Sequence, residues 1–226
     1  MTETEVIHVG NENALRRAVE VLKGGGIIAF PTDTVYGVAV LPWDTDVLAR
    51  LHKAKQRRAD HPIPLLLSDA DQLERVVTIP RRLRHQVRQL ITRFWPGGLT
   101  LVLAKTEIVP NLVSHTHTVG VRVPDLPLAR TLIRDAGGVL AVTSANISGQ
   151  PSSITAQEVQ GQLGGRIDMI LDGGLSLGGV PSSVLDCTVL PPTLLRRGAI
   201  AVAALQAVIG SIRTQVSCKS GRPQDG

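Results

Sequence analysis

Short apolar runs alternate with helical patterns along almost the whole of this chain, and this alternation points to the α/β fold class. In the first helical pattern, Leu15, Ala18, Val19 and Leu22 share one face, and three consecutive glycines follow it. Several later apolar runs follow one another with no helix between them, which favours a mixed sheet over a purely parallel one. We therefore predict a twisted mixed sheet with flanking helices.

The individual elements are predicted from periodicity and from the residues that end each pattern. Helices are predicted over 15–22, 44–53, 83–94 after Pro80, 128–133, from 156 onward, and 205–212. Strands are predicted over 26–30, 63–67, 99–104, 119–123, 139–143, 169–171, 183–185 and 193–195. Asp125 is the predicted N-cap of the fourth helix, and Thr155 with Glu158 forms a predicted capping box at the fifth.

Composition and charge narrow the possible partners. Hydrophobic residues make up 43% of the chain but aromatic residues only 2%, so the predicted core is aliphatic. Base stacking on an aromatic platform is correspondingly disfavoured. The net charge of +5 and the isoelectric point near 9.8 favour an anionic partner such as a nucleotide or RNA.

Cysteine usage and the chain ends indicate a cytoplasmic protein without a membrane segment. Cys187 and Cys218 match neither a metal-ligand pattern nor a disulfide framework. The first residues are acidic where a signal peptide would be basic, and no apolar run approaches the roughly 18 residues needed to span a bilayer. We predict one domain over residues 1–213, followed by a polar, disordered tail over 214–226.

The common nucleotide-binding signatures are missing from the sequence. It contains no G-x-x-x-x-G-K-[ST] loop and no strand-following G-x-G-x-x-G. His115 and His117 are two residues apart but have no third metal ligand nearby in the sequence. No protein-held metal is therefore predicted.

Polar side chains follow the first buried strand directly. Residues 31–37 read Pro-Thr-Asp-Thr-Val-Tyr-Gly and contain the only tyrosine of the chain, Tyr36. Ligand crevices of open α/β sheets lie at the carboxyl ends of the strands. An ordinary strand-to-helix turn uses the same residue types, so this segment alone is equally compatible with both interpretations.

Lys55 and Arg57 are the first candidates for phosphate binding. If the segment is extended the two cations share a face, whereas on a helix they diverge by about 200°. Gln56 and the local charge density indicate that the helix has ended, which favours a paired clamp for phosphates. A solvated helix end, with basic charges that complement the helix dipole, is the alternative.

Two later segments place polar groups on or after a strand. In the strand after Thr118, alternation puts Gly120 and Arg122 on the face opposite the valines, where the guanidinium suits a carboxylate or phosphate in a cleft. An exposed sheet face would suit it equally. Residues 143–149 follow another buried strand with small hydroxyl and amide side chains, which offer donors to phosphate oxygens but also occur in tight turns.

The helix after Pro80 carries a strongly basic face opposite its apolar face. The arginines on that face are Arg81, Arg82, Arg84, Arg88 and Arg93. We interpret it first as a solvated surface and second as an RNA-contact surface.

Taken in order, eight short segments resemble the YrdC-like family of threonylcarbamoyl-AMP synthases. They are Pro31 to Gly37, Lys55-x-Arg57, Trp95 to Thr100, Val121 to Pro124, Ser144 to Asn146, Leu171 to Gly174, Pro181 to Asp186, and Leu195-Arg196. Each is unspecific alone, but their order over about residues 10–210 is specific.

The resemblance implies a YrdC-like α/β fold around a large basic cavity. It also implies ATP, L-threonine and bicarbonate or CO2 as substrates, with L-threonylcarbamoyl-AMP and pyrophosphate as products, in a nucleotidyltransferase reaction that supplies threonylcarbamoyladenosine for tRNA. Mg2+ would be bound mainly through the ATP phosphates. The implied partners are downstream threonylcarbamoyl-transferase proteins and, by direct contact, tRNA or double-stranded RNA.

By the same resemblance, individual residues receive expected roles. Catalysis is expected from Lys55 and Arg57. L-Threonine is expected at Thr32, Tyr36, Arg122 and Ser182. The residues expected to bind ATP are Lys55, Arg57, Thr118, Ser144, Asn146, Ser152 and Arg196.

Four positions depart from the pattern of the family. Gln56 stands where the family usually has glycine, His61 where Lys or Asn is common, Ser183 where Thr usually follows the serine, and Arg197 where Pro follows the arginine. The first two departures bear on the geometry of the phosphate clamp. The alternative function is a non-catalytic protein that binds double-stranded RNA or tRNA through its basic surface, which a low aromatic content permits.

Overall fold

The computed structural model describes residues 3–214, and in that range the strands form one mixed sheet. The strands are β1 Glu5–His8, β2 Ile28–Phe30, β3 Gly37–Val40, β4 Leu65–Leu67, β5 Val77–Thr78, β6 Leu99–Lys105, β7 Thr118–Arg122, β8 Val139–Ser144, β9 Met169–Asp172, β10 Ser183–Asp186, β11 Thr193–Arg196 and β12 Arg213–Thr214. Their order is β1-β9-β2-β3-β8-β4-β7-β6-β10-β11-β12, and β5 pairs with β6. Parallel and antiparallel pairs both occur, so the predicted mixed α/β sheet is confirmed.

Helices flank both faces of the sheet. They are α1 Ala14–Lys23, α2 Thr45–Ala54, α3 Leu73–Val76, α4 Arg84–Phe94, α5 Pro127–Asp135, α6 Ala156–Leu163 and α7 Val202–Ile209. Along β2, Ala29 packs into one hydrophobic cluster, and Ile28 and Phe30 pack into the other. Since successive strand residues point to opposite faces, the two clusters lie on the two sides of the sheet.

Different helices contribute to the two hydrophobic clusters. Apolar residues of α1 and α5 pack on one face, including Ala18 and Leu132, and those of α2, α4, α6 and α7 pack on the other, including Leu48 and Leu90. Within the described residues, no helix is both long enough and apolar enough to cross a membrane.

The N-terminal caps of α2 and α5 differ in whether a side chain binds the first backbone amides of the helix. Asp44 caps α2 by accepting from the amides of Asp46 and Val47. The predicted N-cap at Asp125 is wrong: α5 begins at Pro127, so the cap position falls on Leu126, which makes no side-chain cap bond.

The last two helices differ from the predictions in one cap contact and in one helix end. The hydroxyl of Thr155 caps α6 as predicted by accepting from the amide of Glu158, but the Glu158 carboxylate binds the amide of Ile154 instead of completing the box. The helix α7 ends at Ile209, because Gly210 adopts a positive φ of 76°. Arg213 and Thr214 pair with β11, and the rest of the predicted tail, residues 215–226, lies outside the described residues.

Candidate active site

A cavity of about 450 Å³ opens over the middle of the sheet, and its floor is made by alternate residues of neighbouring strands. In β7, Val121 packs in the core and does not line the cavity, whereas Thr118, Gly120 and Arg122 line it, as the alternation predicts. A Cβ atom on Gly120 would lie 3.1 Å from Cγ2 of Thr100 on the adjacent β6. Glycine therefore keeps the floor open at this point.

Most of the residues predicted from the sequence meet in this cavity. Those that line it are Thr32, Tyr36, Arg57, Thr118, Arg122, Ser144, Ser152, Ser182 and Arg196. The predicted residues that do not line it are Lys55 and Asn146. The other polar lining residues, which the sequence did not single out individually, are Thr34, Thr100, Ser114, Thr116 and Thr143.

Arg122 is the most buried cation that lines the cavity, with a side chain only 6% exposed. Its Nε donates to the carbonyl of Gly97 at 2.8 Å, and Nη1 donates to the hydroxyl of Thr34 at 2.9 Å. Its Nη2 forms an ion pair with the carboxylate of Asp33, whose side chain is 15% exposed. Burial lowers the pKa of Arg122, and the Asp33 charge opposes that shift.

The other two guanidiniums of the cavity have neutral partners. Arg57 donates to the carbonyl of Pro62 at 3.0 Å, and its Nε has no partner among the described residues. Arg196 donates to the carbonyl of Ser182 at 3.0 Å and to its hydroxyl at 3.1 Å. Burial and then the charge of Arg196 lower the pKa of Arg57, and burial lowers the pKa of Arg196.

Lys55 lies behind the cavity wall and does not share a face with Arg57. The helix α2 ends at Ala54, and Gln56 takes a φ of 50°, which turns the chain between the two cations. The buried Lys55 ammonium donates to the carbonyls of Ser144 and Asn146, both at 2.5 Å. Burial and then the charge of Arg57 lower the pKa of Lys55 to about 7.

Asn146 also acts within the wall. Its side-chain amide donates to the carbonyls of Ile147 and Gln150, at 2.8 and 2.7 Å, and its Oδ1 has no partner in the described part of the chain. Together with Lys55 it holds the end of β8, where Ser144 lines the cavity, and the loop that follows.

Hydroxyl groups in the cavity are linked to one another. Ser182 and Thr100 lie 2.8 Å apart through their hydroxyl oxygens, although 82 residues separate them. The hydroxyl of Thr32 donates to the carbonyl of Val35 at 2.7 Å. The Thr32 hydroxyl oxygen also accepts from the amide of Thr34 at 3.2 Å and lies 3.0 Å from the Thr34 hydroxyl.

A glycine-rich loop, residues 173–181, borders the cavity at Pro181. Its first part is bound by the hydroxyl of Tyr36, and a Cβ atom on Gly178 would lie 2.2 Å from the carbonyl oxygen of Asp33. Only glycine permits this close approach. The loop therefore packs directly on the segment after β2.

No metal-binding cluster accompanies these residues. Within residues 3–214 no three His, Cys, Asp or Glu side chains are arranged to hold a metal ion. The ring Nε2 of His115 lies 3.1 Å from the carbonyl of Ala59.

Comparison with known proteins places this arrangement in a family. A family model described as Telomere recombination (Sua5_yciO_yrdC) matches residues 20–198. The chain belongs to the Sua5/YciO/YrdC family. This result confirms the resemblance found in the sequence.

Relatives in the Sua5/YciO/YrdC family carry one recurring name. The threonylcarbamoyl-AMP synthase of Pyrococcus abyssi is 40% identical over 200 residues, covering 88% of this chain and 58% of that protein. A protein of the same name from Vibrio vulnificus is 35% identical over 185 residues, covering 81% of this chain and 98% of the relative. The structure of P. abyssi Sua5 complexed with L-threonine matches with a TM-score of 0.88 and 38% identity, over 94% of this chain and 62% of that one.

Sua5/YciO/YrdC relatives differ in length. The chain spans 58% of the P. abyssi synthase and 58% of the Bacillus subtilis synthase. The match therefore concerns the part of those proteins that corresponds to the sheet and cavity described above.

Proposed function

We propose that this protein is an enzyme that makes L-threonylcarbamoyl-AMP from ATP, L-threonine and bicarbonate or CO2, with release of pyrophosphate. One observation carries the proposal: three guanidiniums and a set of hydroxyls line a single cavity, and within residues 3–214 no carboxylate lines it. The names of the relatives, and the L-threonine bound to P. abyssi Sua5, support the same reaction.

The reaction needs the groups that the cavity offers. The amine of threonine adds to CO2, or to bicarbonate with loss of water, and loses a proton to give a carbamate. A carbamate oxygen then attacks the α-phosphorus of ATP, and pyrophosphate leaves. Phosphoryl chemistry of this kind depends on alignment and on neutralisation of charge, and it needs no protein nucleophile.

Threonine binds, in this proposal, at the Arg122 end of the cavity. One N–H on each terminal nitrogen of Arg122 remains after its bonds to Gly97, Thr34 and Asp33, and this pair suits a carboxylate. The hydroxyls of Thr32 and Ser182 are the nearby polar contacts proposed for the rest of the amino acid. Tyr36 contributes by holding the loop over this end.

ATP binds in the neighbouring part of the same cavity, where Arg57 and Arg196 neutralise its phosphates. Thr118, Ser144 and Ser152 provide hydrogen bonds around the nucleotide. The catalytic role proposed for Arg57 is stabilisation of the departing pyrophosphate charge. Lys55 supports this from behind the wall, by holding the Ser144 loop together with Asn146.

Mg2+ fits the site as a companion of ATP. The lining residues provide hydroxyls and cations in place of the carboxylates that a protein-held Mg2+ needs, so its ligands would be phosphate oxygens and water. When bound, it would neutralise phosphate charge. We place the reaction in the cytoplasm, with threonylcarbamoyl-transferase proteins as recipients of the product for tRNA modification.

The test is pyrophosphate release by the purified protein. ATP, Mg2+, L-threonine and bicarbonate together should release pyrophosphate and form threonylcarbamoyl-AMP, and omission of threonine or bicarbonate should abolish both. Serine and valine at equal concentration serve as matched amino acids. Pyrophosphate release without threonine, or none at all, contradicts the proposal. RNA binding that weakens steeply with salt, with no turnover, would instead favour the non-catalytic RNA-binding alternative.

A further inference from the structure

The three guanidiniums that line the cavity differ in their counter-charges. Arg122 pairs with the carboxylate of Asp33, whereas Arg57 and Arg196 bind neutral oxygens of Pro62 and Ser182. Neither Arg57 nor Arg196 forms an ion pair with any residue in the range 3–214. The charge of Arg122 is therefore compensated, whereas Arg57 and Arg196 provide two uncompensated positive charges.

The proposed substrates differ in the same way. The triphosphate of ATP carries several negative charges, whereas an amino acid has one carboxylate and one ammonium. Both must bind within about 450 Å³, where Arg122 and Arg196 lie close enough for the charge of Arg196 to lower the pKa of Arg122. In such a space an uncompensated Arg122 would attract phosphate as strongly as its neighbours do.

We propose that Asp33 divides the cavity by charge, reserving Arg122 for the carboxylate of a zwitterionic amino acid and leaving Arg57 and Arg196 for the phosphates. Asp33 acts here as a positioning and specificity residue that works through Arg122. The proposal rests on the function proposed above.

The geometry around Asp33 suits this role. Its backbone is packed beneath Gly178, and its side chain is largely buried against the guanidinium, so the carboxylate has little freedom to leave. The bonds to Gly97, Thr34 and Asp33 fix the plane of the Arg122 guanidinium from three sides. The ion pair with Asp33 thus orients the remaining N–H groups of Arg122 and also compensates the charge of its guanidinium.

The first experiment uses Asp33→Asn, which removes the charge and keeps the shape. Product formation from labelled bicarbonate is measured by chromatography while ATP, threonine and added pyrophosphate are varied. In the native protein pyrophosphate should compete with ATP and not with threonine. In Asp33→Asn the threonine KM measured at saturating ATP should rise about tenfold or more, with the ATP KM changed far less, because the phosphates then compete for the uncompensated Arg122 guanidinium.

The diagnostic result is the inhibition pattern. Pyrophosphate should become competitive with threonine in Asp33→Asn, since Arg122 is then a free cation, and Asp33→Glu should restore the native pattern. Unchanged inhibition by pyrophosphate in Asp33→Asn overturns the proposal.

Thr34→Val is the matched control, because it removes a neutral partner from the same guanidinium. It should raise the threonine KM without making pyrophosphate competitive with threonine. If pyrophosphate becomes competitive with threonine in Thr34→Val as well, the orientation of the Arg122 guanidinium and not its charge is responsible, and the proposal fails.

A second measurement needs no variant. In calorimetric titrations of the native protein, inorganic tripolyphosphate should alter the Kd of threonine by less than about threefold, because the two ligands bind different guanidiniums. If tripolyphosphate and threonine exclude each other from the cavity, the proposed role of Asp33 is overturned. Absence of threonine-dependent turnover would instead contradict the proposed function, so the two failures are distinguishable.

Discussion

The hydroxyl of Tyr36 donates a 2.7 Å hydrogen bond to the carbonyl of Gly174, which lies 138 residues later in the chain. The same oxygen accepts from the amide of Gly173 at 3.2 Å. These two bonds attach the beginning of the 173–181 loop to the segment that carries Thr32 and Asp33. Burial, as the largest cause, raises the pKa of Tyr36 to about 12.

Replacement of Tyr36 by Phe should loosen this loop. We expect the free energy of unfolding to fall by about 1 kcal/mol, the usual net value of a buried hydrogen bond, and the threonine KM to rise. The folded pKa of about 12 exceeds the ordinary value of 10.0, so the stabilisation by the hydroxyl is present below pH 10 and lost as the pH rises through 12. Chemical denaturation of both proteins at pH 8 and pH 11 checks this, and a stability difference that stays constant between the two pH values would contradict it.

Lys55 should make stability depend on pH in the opposite direction. Its folded pKa, about 7, lies below the ordinary 10.5, so between these values the unfolded chain binds more protons. The free energy of unfolding should therefore rise with pH across this window, by roughly 1 kcal/mol per pH unit. Lys55→Met should be less stable overall, because the carbonyls of Ser144 and Asn146 lose their donor, and should lack this rise. Denaturation curves from pH 6.5 to 9.5 test it, and parallel profiles for the two proteins would refute it.

Arg122→Ala should affect the two substrates unequally. Loss of the carboxylate-binding fork should raise the threonine KM by about tenfold or more, while the ATP KM changes little. Initial rates with each substrate varied in turn provide the measurement. Arg134→Ala is the matched control, because that arginine is exposed on α5 and does not line the cavity. Equal increases for threonine and ATP would argue against the assignment of Arg122 to threonine.

Gln56→Gly should stabilise the protein or leave its stability unchanged. Gln56 has a positive φ of 50°, which glycine adopts more easily, so removal of the strain should contribute up to about 1 kcal/mol. Gln89→Gly on the exposed face of α4 is the control and should cost about 1 kcal/mol, since a helix interior disfavours glycine. Urea denaturation compares the two. A loss of stability in Gln56→Gly as large as in Gln89→Gly would show that the turn does not strain Gln56.

Patterns that depend on near neighbours were predictable from the chain alone. The alternation that places Gly120 and Arg122 on one face and the valines on the other is a local property of an extended strand. The helix predicted over 44–53 and observed as Thr45–Ala54 likewise depends on residues within a few positions of each other. The predicted N-cap at Asp125 failed by one residue, the scale on which helix boundaries are least determined by sequence.

Contacts between distant segments were not predictable in this way. The chain does show that Lys55 and Arg57 are two residues apart, yet the left-handed turn at Gln56 sends one into the wall and the other into the cavity. Asp33, in the segment between β2 and β3, pairs with Arg122 at the end of β7 across 89 positions, a contact that depends on the tertiary fold.

The sequence by itself determined an aliphatic α/β chain, the faces of its strands, its family and most of the residues that meet in the cavity. Only the tertiary structure decided which cation receives a carboxylate partner and which remain uncompensated. The physical reason is that strand alternation and helix periodicity act over a few residues, whereas the counter-charge of each cavity arginine depends on side chains brought together by the tertiary fold.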